Sequence, residues 1–122
     1  MTTARIPRDA FASTDTVGVQ VGNHHVVVTL TDDGPFAYAD RCPHRGAPML
    51  AGGRIVSSLR ADGGRLELGA PRSHVRCPWH KWDFELATGR CAVDPRLRLR
   101  TYTTWTDGDE IVVALTRAAD DR

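Results

Sequence analysis

Two short stretches of this chain place a thiol and an imidazole within three residues of each other: Cys42-Pro43-His44 and Cys77-Pro78-Trp79-His80. The spacings are C-x-H and C-x-x-H, and a proline follows each cysteine. Proline at that position holds the cysteine in extended geometry and stiffens the turn, so each stretch reads as a stiff finger carrying two ligands. Four such ligands suit a tetrahedral zinc or, divided two and two, the two irons of a [2Fe-2S] cluster. A Cys-His nucleophile is a third chemistry, but it needs one thiolate and a base from a distant segment and has no use for a duplicated pair.

The elements that must carry these fingers are short runs of β-branched and aromatic residues: VGVQV at 17–21, HHVVVTL at 24–30, FAYAD at 36–40, DFEL at 83–86, RTYTTW at 100–105 and EIVVAL at 110–115. Between them stand Gly22-Asn23, Asp32-Asp33-Gly34-Pro35, Thr88-Gly89 and Asp107-Gly108-Asp109, each with the chemistry of a tight turn. No long window repeats apolar residues at helical spacing, so the expected class is all-β, built from hairpins, with little helix. A length of 122 residues predicts one domain.

Sixteen basic residues against fifteen acidic ones leave a formal charge of +1, with no basic cluster, which argues against a nucleic-acid partner. The opening MTTARIPRDAFAST has no apolar run for a signal peptide or membrane anchor, so no membrane association and a cytoplasmic location are expected. Three cysteines, an odd number, argue for metal binding or plain burial over a disulfide framework. The final TRAADDR is too polar to pack and is expected to fray.

CPHRGAP followed by CPWHKWDF resembles the paired cluster-binding motif of Rieske-type ferredoxins and Rieske oxygenase domains, and the resemblance extends through DFELATGR and DPRLRLRTY to EIVVAL. It implies one [2Fe-2S] cluster per chain, with Cys42 and Cys77 on one iron and His44 and His80 on the outer one, near the protein surface. It also implies a Rieske-type antiparallel β-sandwich or barrel base over a single domain, 1–122, with a small cluster-binding subdomain at about 40–90. The implied function is a soluble one-electron carrier and not an enzyme, passing electrons from a flavin-dependent reductase to a terminal oxygenase; the chain is expected to be too short for an oxygenase's catalytic domain. The alternatives are the small Rieske subunit of a nitrite reductase and, in a different class, a zinc-stabilised non-redox interaction module.

Neighbouring residues carry weaker expectations. Trp79 and Trp82 are read as packing that excludes water, and Cys91 as a small buried hydrophobe. His74 lies outside both motifs, while His24 and His25 sit at a hairpin. Arg45 and Lys81 adjoin the two histidines and are candidates for a docking surface. Two departures from the resembled family stand out: Lys81 replaces a usual glycine, and 32 residues separate His44 from Cys77. That interval is roughly twice the one in compact Rieske ferredoxins and implies an inserted hairpin or loop at about 57–74, with Asp62-Gly63-Gly64 at its tip. The high-potential respiratory members resemble CTHLGC and CPCHGSxY; here Ala47 and Trp79 stand in place of their disulfide cysteines, and Trp82 and Phe84 in place of their hydroxyls.

Overall fold

The computed structural model describes residues 2–43, 46–57, 59–62, 65–68, 72–79, 82–94 and 96–116. Eleven strands lie among them: β1 Thr3–Pro7, β2 Thr16–Val21, β3 His24–Thr31, β4 Gly34–Ala39, β5 Arg54–Val56, β6 Leu59–Asp62, β7 Arg65–Leu68, β8 His74–Arg76, β9 Asp83–Glu85, β10 Thr101–Asp107 and β11 Glu110–Ala114. Helix is confined to a 3-10 turn at Arg8–Phe11 and to α1, Met49–Gly52. The fold is all-β, as expected. No helix among the described residues is long and apolar enough to cross a membrane.

The larger sheet runs β1-β11-β10-β4-β3-β2, antiparallel throughout, and its ends approach each other to form a nearly closed barrel. Hairpins β2–β3, β3–β4 and β10–β11 turn through two residues each, at Gly22-Asn23, Asp32-Asp33 and Gly108-Asp109. A second sheet, β5-β8-β9, carries the site, and β6–β7 forms a separate hairpin with Leu59 paired to Leu68 and Asp62 to Arg65. Gly63 and Gly64, expected at a hairpin tip, lie outside the described residues, as does the tail from 117 onward. Arg72, after the hairpin, forms an ion pair with Asp15 ahead of β2.

Three strands carry no signal in the sequence. β1 holds one buried side chain, Ile6, and exists because β11 offers it an open edge. β5 and β8 have three residues each, too few for a period-two pattern to emerge.

Strands β3 and β4 form a wall buried on both faces. Val26, Val28 and Ala37 point into the barrel beside Ile6, Ile111 and Val113. Val27 and Tyr38 point the other way, into a second core with Cys42, Met49, Val75, Cys77, Phe84 and Leu99. The run VVV is continuous because successive side chains serve opposite cores.

On this second face a hydroxyl relay ties the wall together: Tyr38 Oη lies 2.9 Å from Thr29 Oγ1, which lies 3.1 Å from Thr16 Oγ1. Burial pushes the Tyr38 phenol up to about 12, against the Thr29 hydrogen bond, which favours ionisation. The native state therefore holds this proton more tightly than the unfolded chain does. The stability so gained is complete below pH 10 and is lost as pH climbs through 12, on the order of 3 kcal/mol. Urea unfolding from pH 8 to 12 should show that alkaline loss in the wild type and a flatter limb in Tyr38→Phe, despite the variant's lower stability at pH 8; parallel limbs would exclude Tyr38 as the cause.

Candidate metal centre

Cys42 leaves the wall three residues beyond β4 and opens a loop that closes on itself. Its N–H donates to Ala47 O at 2.9 Å, and Gly46 N–H donates to Cys42 O at 2.7 Å. Gly46 takes the left-handed φ of +73° that this return requires. Cys77 follows β8 directly, and its N–H donates to Trp82 O at 2.8 Å. In both loops the cysteine amide thus reaches the carbonyl five residues ahead, so C-x-H and C-x-x-H sit within matched closures.

Both cysteine side chains are buried, 2% and 0% exposed, and they belong to one continuous cluster of buried side chains. Ala47, Met49, Val75 and Phe84 are buried with them, and Trp82 and Leu97 pack at the margin. His44, Arg45, His80 and Lys81 lie outside the described residues. Two buried thiols without a disulfide, each in a loop held by its own backbone, fit the half of the donor set that a [2Fe-2S] cluster draws from cysteine.

The second loop is fastened at its root by a pair that sequence reasoning did not single out. Arg76 and Asp83 face each other across β8 and β9, with Arg76 Nε donating to Asp83 Oδ1 at 2.7 Å and Nη2 to Oδ2 at 3.1 Å. The carboxylate raises the Arg76 pKa through hydrogen bonding and charge. The signal was present in RCPWHKWD, an arginine and an aspartate flanking the loop, but only the strand register reveals that they meet.

α1 joins the two loops. Leu50 N–H donates to Asp40 Oδ1 at 2.7 Å, anchoring the helix to the root of the first loop. At its other end a Cβ on Gly52 would lie 2.8 Å from Pro78 Cβ, so the backbone of α1 rests directly on the second loop's proline. Beyond β9, Gly89 has φ +80°, and a Cβ there would stand 1.9 Å from Leu99 O, which accepts no side chain. This is the physical content of Thr88-Gly89-Arg90: Leu99 N–H donates back to Gly89 O at 2.7 Å and fastens the segment that carries Cys91, which bridges to Phe84.

The remaining residues divide. Trp82 packs as expected, whereas Trp79 is 59% exposed, so the packing expectation fails there: two residues past the buried Cys77 its ring already lies outside the core. Cys91 is buried, and its Sγ accepts Asp94 N–H at 3.4 Å. His74 is half-buried, with Nδ1 2.7 Å from Ser73 Oγ. His24 meets the Tyr102 ring edge-on.

A wall with a barrel behind it and two cysteine loops in front defines an iron-sulfur domain. The sequence matches the Rieske [2Fe-2S] domain over residues 4–103, and the chain belongs to that family, which carries one [2Fe-2S] cluster per chain. Among solved structures, the ferredoxin of carbazole 1,9a-dioxygenase from Nocardioides aromaticivorans is 25% identical, with a TM-score of 0.70 over 93% of this chain and 98% of that one. A putative NADH-dependent nitrite reductase small subunit from Mycobacterium tuberculosis is also 25% identical, with a TM-score of 0.69 over 95% and 96%. Apoptosis-inducing factor 3 of mouse and human is 36% identical over 64 residues, which is 52% of this chain and 8% of those proteins' length.

Removing the root staple tests its hold on the second loop. Asp83→Asn should cost about 1 kcal/mol, given the partial exposure of both side chains, and should speed hydrogen exchange at the Cys77 amide more than at Cys42. Equal protection of the Cys77 amide in variant and wild type would show that the pair does not hold the loop.

Proposed function

We propose that Cys42 and Cys77 ligate one iron of the cluster and His44 and His80 the other, and that the chain is a one-electron carrier. The observation that carries the assignment is the matched closure of the two loops around buried cysteines in one core. When bound, the cluster supplies a site that accepts and returns a single electron. The chain's own residues hold the two thiols in fixed loops and keep water from their roots, while Trp79 leaves the second loop's tip open to a partner.

The whole-chain likeness to the dioxygenase ferredoxin supports delivery of electrons from a flavin-dependent reductase to a terminal oxygenase, in the cytoplasm. A second reading, the small Rieske subunit of a nitrite reductase, rests on an equally complete likeness. The two differ in association: a carrier leaves its partner on each turnover, whereas a subunit co-purifies with it. The single domain is read over 1–122, with the cluster-binding part at about 40–90 and the β6–β7 hairpin inserted within it at about 57–74.

Purified protein should be brown and contain about two iron and two sulfide per chain. Cys77→Ala and His80→Ala should lose the visible spectrum and the iron, because a missing ligand opens the metal to water, while His74→Ala keeps both. A full spectrum in His80→Ala would sink the ligand assignment.

The potential follows from what surrounds the sulfurs. Two ferric ions, two sulfides, two thiolates and two neutral imidazoles sum to zero charge, so this centre takes an electron more readily than an all-thiolate one. Hydrogen bonds to sulfur would raise the potential further, but Trp82 and Phe84 stand where the high-potential members carry hydroxyls. A midpoint on the order of −150 mV, and below about 0 mV, is therefore expected at neutral pH. Protein-film voltammetry giving a value well above that would refute the hydrogen-bond argument.

A further inference from the structure

Beside the first cysteine loop a cavity of about 470 Å³ opens between the start of β3, the end of β4 and the start of β10. Four side chains with basic nitrogen line it, Arg41, Arg100, His24 and His25, together with the phenol of Tyr102. One carboxylate, Asp40, also lines it, but Asp40 Oδ1 already accepts the Leu50 N–H. Among the described residues no carboxylate forms an ion pair with Arg41 or Arg100.

Arg100 is the informative member. Its guanidinium is stacked 4.9 Å from the centroid of the Tyr102 ring, which fixes the plane of the fork. Its Nε is shut off from solvent and has no hydrogen-bond partner among the described residues. A desolvated donor on a cation is costly to leave unmet, and an acceptor that enters the cavity reaches it only as the Arg100 side chain shifts to meet the ligand. Arg41 is placed to share the load: its Nε would lie 3.5 Å from a Cβ on Gly46, so its guanidinium lies along the first loop at the cavity rim. Tyr102 Oη lies 3.4 Å from His24 Nδ1, a contact that holds the stacked ring in place beside Arg100.

We propose that this cavity binds a small oxyanion, a carboxylate or a phosphate, in the planar forks of Arg41 and Arg100. Two guanidinium groups without carboxylate partners, one of them immobilised by stacking, match the paired oxygens of such a ligand. Because the cavity borders the Cys42 loop, a bound anion sits near the cluster and disfavours the added electron, so occupancy lowers the reduction potential. By reciprocity, reduction weakens anion binding by the same factor. The binding stands independently of the ligand assignment above; the redox linkage rests on it.

Titration calorimetry with inorganic phosphate and, separately, with acetate at constant ionic strength distinguishes the two ligand sources. At least one should bind with about tenfold higher affinity to the wild type than to Arg100→Gln or to the rim variant Arg41→Gln. No binding of either anion to the wild type, or equal binding to all three proteins, would overturn the site. Voltammetry on the same samples should show the wild-type midpoint falling as the bound anion is added and the Arg100→Gln midpoint unmoved; equal shifts in both would overturn the linkage. Iron content and colour report separately on the cluster: colourless protein that binds phosphate retains the site and refutes the ligand reading.

Discussion

Everything in this molecule hangs on a wall with two dry faces. Val26 and Val28 close the barrel, Val27 and Tyr38 floor the site, and the same six register pairs of β3 and β4 hold both. A one-residue slip in this pairing would exchange the two sets and put Val27 in the barrel and its neighbours under the cysteines. Register is therefore specified twice, once by each core. The buried Thr29–Tyr38 hydrogen bond adds a directional constraint that apolar packing lacks, since only one register brings the two hydroxyls together.

From that wall the two cysteine loops gain rigidity by different routes. The first is closed by its own backbone and tied through Asp40 to α1. The second is closed by one backbone bond and clamped at the root by Arg76 and Asp83. α1 connects them, because the bare face of Gly52 lets Pro78 approach to a distance that any side chain would prevent. The two cysteine loops are thus linked through α1, by the Asp40 carboxylate at one end and the Pro78 ring at the other.

Much of this was legible in the sequence where the information is local. The runs from VGVQV to EIVVAL read as strands because β-branched residues and two-residue turns specify them without help, and the paired cysteine motifs stand out by spacing alone. What escaped is what depends on partners distant in the chain. β1 is defined by the edge of β11, more than a hundred residues away, and β5 and β8 by each other across the inserted hairpin. The Arg76–Asp83 clamp needed the β8–β9 register to become visible. Trp79 misled because tryptophan's size argues for burial, while two residues beyond the buried Cys77 its ring already stands outside the core.

The residues that dry the site also govern how it can be tuned. Phe84 is fully buried among Val75, Leu86 and Cys91, on the strand that the Arg76–Asp83 pair fastens. A hydroxyl on that ring would have to find an acceptor in an apolar core or bear the cost of burial without one. Here the apolar ring satisfies the core without reference to the cluster, and Trp82 covers the loop margin in the same way. Phe84 and Trp82 therefore shape the site by packing, one from within the core and one from the loop margin, and a polar group on the buried ring would need a partner before it could be held there.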